Sequence, residues 1–188
     1  MKSIIIGMSG SSGVIYGIKL LQMLAGMSDI KTHLVMSQAA RMNIGIETDW
    51  TTSSVEELAD EVHNNKNIGA SIASGSFKTA GMIVVPCSMK TLSGIANSYA
   101  DNLIVRAADV VLKERRRLVV VPRESPLHSG HCELMLKVSQ MGGIICPPAP
   151  AFYAHPTSVD DIVNHSMARV LDLFDIEVAT LTRWQGNA

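Results

Sequence analysis

The sequence is poor in aromatic residues and in cysteine, and neither sign of charge prevails. Aromatic side chains occupy 4% of the 188 positions, so the core must consist of aliphatic residues and some of the 11 methionines. Because 17 Asp and Glu balance 16 Lys and Arg, no excess positive charge is left for a nucleic-acid backbone. Three cysteines, at 87, 132 and 146, are odd in number and form no C-x-x-C motif. This usage favours reduced thiols in the cytoplasm and argues against structural zinc.

Long apolar runs are missing as well. The N-terminal isoleucine run is interrupted at Gly7 and followed by serines and glycines, which makes it too short for a signal peptide or a membrane span. We therefore expect a cytoplasmic protein that does not bind membranes.

Charged residues make up 18% of the chain, below the roughly 25% of ordinary domains, so we expect a homo-oligomer that buries surface between subunits. The length fits one domain over residues 1–188.

Strand and helix patterns alternate along the chain. Each predicted strand after the first two is continuous in apolar residues, as in strands that are buried on both faces. Strands are predicted at 3–6, 32–36, 82–85, 118–121 and 144–146, and helices at 14–24, from 37, at 55–62, 91–99, 103–116, 133–141 and 159–173. The segment 63–80 is polar and glycine-rich and is predicted to be a long loop. This order predicts an α/β protein with a doubly wound parallel sheet and helices on both faces.

The turn between the first strand and the first helix reads GMSGSSG at 7–13. Its glycines are spaced G-x-x-G-x-x-G, unlike the dinucleotide motif G-x-G-x-x-G, and no acidic residue closes the second strand. Backbone N–H groups and serine hydroxyls at this helix start suit a phosphate group. The turn therefore favours a mononucleotide over NAD, and a tight turn without a ligand is the alternative.

Polar or ring-bearing segments follow the other strands and should meet at one edge of the sheet. They are Ser37 and the segments 86–90, 122–126 and 147–153. Arg123 supplies a bidentate cation, so a planar phosphorylated ligand is expected. Cys87 has no histidine near it in sequence, and a small wall residue explains it better than a nucleophile. His128 and His131 lack a third ligand in sequence, so no metal site is expected.

Seven motifs carry a family resemblance that spans almost the whole chain. They are GMSGSSG at 7–13, IETD at 46–49, PCSMKTLSGIA from 86, RAADVVLKERR from 106, VPRESP from 121, PAFYAHP from 150 and RW at 183–184. Together they resemble the flavin prenyltransferases, the UbiX-like group. The resemblance implies a Rossmann/flavodoxin-like fold, a homo-oligomer such as a dodecamer, and FMN as a bound flavin substrate. It also implies transfer of the dimethylallyl group of dimethylallyl monophosphate to N5 and C6 of reduced FMN, for a partner UbiD-like decarboxylase.

The resemblance assigns roles to individual residues. The implied cofactor-binding positions are Gly10, Ser11, Ser12, Ser37, Cys87, Ser88, Met89, Lys90 and Arg123. Those implied for the allylic phosphate are Arg106, Lys113, Tyr153 and Arg169, and those for catalysis are Ser12, Glu47, Glu124 and Trp184. The D-D-x-x-D motif of magnesium-dependent prenyltransferases is absent, so basic side chains must replace the metal. Cys132 and Leu134 depart from the family pattern.

Two other functions stay open at this point. One is an FMN-dependent decarboxylase of the cysteine-peptide type, which uses a histidine in its first helical region, whereas the earliest histidine here is His33. The other is a non-catalytic flavin carrier subunit of an aromatic-acid decarboxylase. The carrier would leave Tyr153, Arg169 and Glu124 with little purpose.

Overall fold

The computed structural model describes residues 1–179 and 181–186, and its centre is a six-stranded sheet in which every pairing is parallel. The strand order is β3-β2-β1-β4-β5-β6. The strands are β1 (Lys2–Met8), β2 (Ile30–Met36), β3 (Glu61–Asn64), β4 (Gly81–Cys87), β5 (Arg117–Pro122) and β6 (Ile144–Ile145). The order reverses direction between β1 and β4, and this switch point is where open α/β sheets bind ligands.

Helices cover both faces of the sheet, as predicted. They are α1 (Val14–Leu24), α2 (Gln38–Glu47), α3 (Thr52–Glu56), α4 (Met89–Ala96), α5 (Leu103–Lys113), α6 (Ser129–Gln140) and α7 (Val159–Asp172), with single 3₁₀ turns at Ser71–Ala73 and Phe152–Ala154. One apolar cluster packs α1, α2 and α7 on the first face, and another packs α4, α5 and α6 on the second. The doubly wound fold is confirmed.

The continuous apolar runs are explained by these two layers. Side chains alternate across a strand, so Ile4 and Ile6 enter the first cluster whereas Ile5 between them enters the second. All three are at most 1% exposed. A strand with both faces covered therefore needs an apolar residue at every position, and the period-two pattern of a half-exposed strand is lost.

The structure corrects the predicted helix 55–62. Helix α3 ends at Glu56, and Glu61–Asn64 form the edge strand β3. The Asp60 carboxylate accepts hydrogen bonds from the Thr32 N–H at 2.7 Å and from the Thr32 hydroxyl at 2.9 Å, and this tie to β2 overrides the local helical pattern. The predicted loop 63–80 therefore begins inside a strand and contains the turn Ser71–Ala73.

No helix in the described part of the chain has the length and the apolar content needed to cross a membrane.

Candidate active site

A cleft of about 990 Å³ opens at the carboxyl ends of β1, β2 and β4. Gly10, Ser37, Ser88 and Lys90 all line it, so the structure brings four of the predicted cofactor-binding positions together. Asn65, which follows β3, lines it too and was not predicted. The volume lies at the upper end of the usual range for small-molecule sites.

Two helices begin at this cleft with a serine cap. The Ser37 hydroxyl accepts a hydrogen bond from the Ala40 N–H at 3.1 Å at the start of α2. The Ser88 hydroxyl likewise accepts from the Thr91 N–H at 3.3 Å at the start of α4. Each cap engages one donor of the first turn, and the other N–H groups and the helix dipole favour an anion there.

Ser9 locks two of the strand-end loops together. Its buried hydroxyl donates to the Pro86 carbonyl at 3.2 Å and accepts from the Ser88 N–H at 2.8 Å, so hydrogen bonds join the loops after β1 and β4. Ser11 and Ser12 were predicted as cofactor-binding residues, whereas Ser9 was not predicted. Its position directly after β1 could have marked it as a site residue. Its hydrogen-bond partners lie nearly 80 residues away, so no sign of these contacts appears in the sequence.

Glu47 changes the expected phosphate cradle. Its Oε2 accepts hydrogen bonds from the backbone N–H groups of Gly13 at 2.8 Å and Val14 at 3.3 Å. An anion therefore already occupies the start of α1, and a phosphate group there would meet a like charge. The first turns of α2 and α4, which line the cleft, are therefore more favourable positions for an anion than the start of α1.

Ser11 carries an unsatisfied group next to the cleft. Its Oγ is buried and has no hydrogen-bond partner among the described residues, whereas its carbonyl accepts from Asn43 Nδ2 at 3.2 Å. A buried hydroxyl without a partner is costly, and a ligand that hydrogen-bonds to it removes the cost. Ser12 beside it is exposed. Asn43 was missed because its contact spans 32 positions.

Cys87 is a wall residue in the structure. It is completely buried, and desolvation raises the pKa of its thiol well above the ordinary value. The thiolate that a nucleophile needs is therefore suppressed. Met89 beyond it is half-buried against the second apolar cluster, and this agrees with a packing role on the wall.

Arg123 and Glu124 are both exposed at the end of β5. The Arg123 N–H donates to the Cys87 carbonyl at 3.2 Å, which fixes the backbone of this loop against β4. Burial raises the pKa of Tyr16, and the charge of Arg123 opposes this rise. Glu124 Oε1 accepts from the Ser125 N–H at 3.1 Å, and within residues 1–179 and 181–186 no ion pair joins it to Arg123.

A second group of predicted residues meets beyond β6. The rings of Tyr153 and Trp184 lie 5.7 Å apart at 69°. Tyr153 and Arg169 line a groove of about 130 Å³ together with Cys146. Arg169 Nη1 also binds Asp172 Oδ2 at 2.8 Å. The structure thus brings together Tyr153 and Arg169, which the resemblance assigned to the allylic phosphate, and places Trp184, which it assigned to catalysis, beside Tyr153.

The C-terminal segment is held on α7 by polar contacts. His165 Nε2 lies 3.1 Å from the Thr182 carbonyl, and Arg183 forms an ion pair with Asp172. The hydrogen bond from Arg183 lowers the pKa of Asp172. Arg183 belongs to the RW motif, but no role was predicted for it. In the structure its ion pair with Asp172 anchors the neighbouring Trp184 beside Tyr153.

Arg106 and Lys113 do not join the other residues within this chain. Arg106 donates to the Ala73 carbonyl at 3.3 Å and pairs with Asp109 at 2.9 Å. Lys113 lies seven residues further along α5, about 10 Å away along the helix axis, and contacts Glu114. Helix α5 begins beside the carboxyl end of β3 and ends just before β5 starts. Lys113 therefore lies near the amino-terminal ends of the strands, on the side of the sheet opposite the cleft.

The sequence matches that of known proteins over its full length. The model of the flavoprotein family matches residues 1–176. The chain is 55% identical over 188 residues to the flavin prenyltransferase UbiX of Escherichia coli (strain K12), an alignment that covers 99% of this chain and 100% of the relative.

Two solved structures share the fold closely. A dodecameric FMN-dependent UbiX-like decarboxylase from Escherichia coli O157:H7 has a TM-score of 0.96 and 55% identity, over 98% of this chain and 100% of that one. AnUbiX (PadA1), solved in complex with FMN and dimethylallyl pyrophosphate, has a TM-score of 0.97 and 48% identity, over 100% and 99% of the two chains.

Proposed function

The chain belongs to the flavoprotein family and, within it, to the UbiX-like flavin prenyltransferases, and we propose that it joins the dimethylallyl group of dimethylallyl monophosphate to N5 and C6 of reduced FMN. The observation that carries this proposal is the strand-end cleft lined by Gly10, Ser37, Ser88 and Lys90. Reduced FMN supplies the electron-rich atoms that attack the allylic carbon. Everything else that the reaction needs must come from side chains and backbone groups of the protein.

The cleft fits FMN. Its volume of about 990 Å³ accommodates a flavin mononucleotide, and two helix N-termini face it with free N–H groups. Ser11 Oγ is a buried hydroxyl that a polar ligand atom would satisfy. Arg123 is exposed, and its guanidinium can donate two parallel hydrogen bonds to a phosphate group. Cys87 and Met89 then serve as apolar wall beneath the ring system.

Tyr153 and Arg169 bind the allylic phosphate in this proposal. A phenol and a guanidinium line the same small groove, and together they offer directional donors to a phosphate without a metal. Asp172 holds Arg169 in place through its 2.8 Å contact. Trp184 faces Tyr153 and offers its ring to positive charge that develops on the allylic group, an attraction of roughly 1 to 2 kcal/mol.

Glu124 accepts the proton in this proposal. Glu47 and Ser12 belong to two other motifs whose residues, by the resemblance, lie beside the flavin. Substitution at C6 releases a proton, and a carboxylate within reach accelerates its removal. Glu124 suits that role because its carboxylate is exposed and not paired with Arg123. Glu47 accepts hydrogen bonds from two backbone N–H groups and so positions the turn that carries Ser12.

Neighbouring copies of the chain contribute residues to each site in this proposal. Lys113 lies at the sheet edge opposite the cleft, so it reaches an allylic phosphate only in the site of a neighbouring copy, and Arg106 on the same helix is available to do likewise. Exposed apolar side chains supply contact surface for such an assembly, among them Met42, Ile46, Phe152 and Val159. A dodecamer, as in the Escherichia coli O157:H7 relative, would unite these contributions.

The proposal also covers the fate of the prenylated flavin. Prenylated FMN made in this cleft would pass to a UbiD-like decarboxylase in the cytoplasm, with residues 1–188 acting as a single flavin-binding domain. Direct decarboxylation of the cysteine-peptide type is disfavoured because His33 is buried inside β2 beside His63, away from the cleft lining. A carrier without activity is disfavoured because Tyr153, Arg169 and Trp184 are assembled for a ligand other than flavin.

One assay separates the three functions. The protein is incubated anaerobically with reduced FMN and dimethylallyl monophosphate, and the released flavin is analysed by mass spectrometry. We expect a flavin heavier by one five-carbon unit and stoichiometric inorganic phosphate. A carrier would return unchanged FMN, and a decarboxylase would release carbon dioxide from a carboxylic acid without a partner protein. Oxidised FMN serves as the control, since it lacks the electron-rich atoms and should remain unchanged.

A further inference from the structure

Two histidines and a glutamate meet on the second face of the sheet, where β2 pairs with the edge strand β3. His33 Nδ1 lies 3.1 Å from His63 Nε2. The Glu61 carboxylate straddles these nitrogens, with Oε2 at 3.5 Å from His33 Nδ1 and Oε1 at 3.5 Å from His63 Nε2. No residue of this cluster lines the strand-end cleft.

The strand register creates this cluster. In the parallel pairing His33 stands beside Glu61, and Val35 stands beside His63. Residues two apart on a strand share a face, so the three polar side chains point to the same side of the sheet. A search for ligand spacing along the sequence misses them because 30 positions separate the two histidines. This is why the sequence led us to expect no metal.

The separations suit a tetrahedral cation. Zinc binds imidazole nitrogen and carboxylate oxygen at about 2.0 to 2.2 Å, so neighbouring ligand atoms in a tetrahedron stand about 3.3 to 3.5 Å apart. The His33 Nδ1–His63 Nε2 distance of 3.1 Å is close to one such edge, each of these nitrogens lies 3.5 Å from one of the two Glu61 oxygens, and one ligand atom from each residue lies within 4.8 Å of the others. Two imidazoles and one carboxylate leave a fourth position for water.

The surroundings of the ligands also suit a cation. His33 is fully buried and His63 is 8% exposed, so little bulk water reaches their ring nitrogens. The Phe77 ring lies 5.3 Å from the His33 ring and nearly perpendicular to it, on an otherwise apolar side. The competitor for Glu61 is Lys31, whose Nζ lies 3.1 Å from Oε2; at 41% exposure this lysine can turn to solvent.

We propose that His33, Glu61 and His63 form a binding site for a divalent transition metal, with Zn²⁺ the preferred ion, that fastens the edge strand β3 to β2. Strand β3 has only four residues, and Asn65 just after it holds the start of α5: its carbonyl accepts from the Leu103 N–H at 2.8 Å and its Oδ1 from the Ile104 N–H at 3.0 Å. The ion therefore stabilises a strand that leads directly into the wall of the cleft.

The alternative is a neutral pair in which one histidine donates a hydrogen bond to the other, with no ion. Both arrangements use the same nitrogens, so only metal binding separates them. The protein is treated with a chelator, dialysed and titrated with zinc chloride by calorimetry at neutral pH. We expect one ion per chain. His63→Gln and Glu61→Gln should each weaken binding by at least about tenfold, the lower limit seen when even an outer partner of a metal ligand is lost.

The matched control is the pair His128 and His131, in which His128 is exposed, His131 is half-buried and the rings lie 3.7 Å apart. The double variant His128→Gln/His131→Gln should bind zinc as the unmodified protein does. Zinc should raise the melting temperature of the unmodified protein and of this control, but not of His63→Gln or Glu61→Gln, whose melting without metal verifies folding. The proposal is overturned if the unmodified protein binds no zinc, if both ligand variants bind it normally, or if only the control loses it.

Discussion

The carboxylate of Glu47, the last residue of α2, accepts a hydrogen bond of 2.8 Å from the backbone N–H of Gly13, just before α1. Gly13 has a φ of 98°, in the left-handed region that glycine adopts at little cost, and this conformation presents its N–H to the carboxylate. The contact joins the glycine-serine turn to the end of α2. A carboxylate at position 47 therefore fixes the shape of the turn and caps the start of α1.

Glu47→Gln should lower the turnover of FMN-saturated enzyme and also destabilise the protein. The amide keeps one acceptor oxygen but loses the charge at the start of α1, a loss of about 0.3 to 1 kcal/mol. Steady-state kinetics at saturating FMN and thermal unfolding measure the two effects. Asp49→Asn, two residues further on, is the control. If turnover per bound flavin is normal while stability falls, Glu47 is a helix cap and not a catalytic residue.

Glu124→Gln should nearly abolish prenyl transfer while FMN affinity stays close to normal. The carboxylate is exposed and is not ion-paired with Arg123, so its removal leaves undisturbed the guanidinium that we propose to bind the flavin phosphate. Glutamine keeps the size and removes the base. Stopped-flow spectra of the flavin-saturated variant with dimethylallyl monophosphate report the transfer. Normal product formation would refute the catalytic role, and Glu133→Gln on α6 controls for the loss of one surface charge.

Arg169→Ala and Tyr153→Phe should raise the KM for dimethylallyl monophosphate and leave the Kd for FMN unchanged. Both side chains line the small groove beyond β6 and not the large cleft. Initial rates at limiting allylic phosphate, together with a flavin fluorescence titration, separate the two affinities. Arg117→Ala removes another exposed arginine that pairs with an aspartate and should change neither value. Unchanged kinetics in both groove variants would reduce Arg169 to a surface ion pair.

Gly10→Ala should destabilise the protein and weaken FMN binding. A Cβ at this position would lie 2.3 Å from the Cβ of Ala39, so the start of α2 must move away from the turn. Overpacking of this kind costs about 1 to 3 kcal/mol. Gly26→Ala is the control, because a Cβ there meets no atom within 4 Å. Thermal unfolding and FMN titration of the two variants should differ clearly, and equal behaviour would contradict the close contact.

Acid should release the C-terminal segment from α7. The Arg183 hydrogen bond lowers the pKa of Asp172, so the ion pair stabilises the docked segment fully above the ordinary aspartate pKa and is lost as pH falls through the lowered value. Trp184 fluorescence, measured in a Trp50→Phe background, should change with a midpoint below that ordinary pKa. In Asp172→Asn the acid transition should be absent; a transition that survives this substitution would assign the signal to another group.

The sequence by itself determined the layered α/β architecture and the edge at which ligands bind. Apolar residues such as Ile4, Ile5 and Ile6 follow one another without a break, and this is possible only in a strand covered on both faces. The strand ends could be located along the chain, so Gly10, Ser37 and Ser88 were predicted to meet, and they line one cleft. Local period and strand order suffice for such statements, because parallel strands bring their carboxyl ends to a common edge.

Only the tertiary structure decided which groups pair across long stretches of chain. Helix 55–62 was predicted from a local pattern, but Asp60 binds Thr32 on the neighbouring strand, and β3 forms instead. Lys113 was grouped with Tyr153 by the resemblance, yet the direction of α5 carries it to the far edge of the sheet. Contacts such as these depend on register and helix direction, which local periodicity does not encode, because their energy is gained only when distant segments meet.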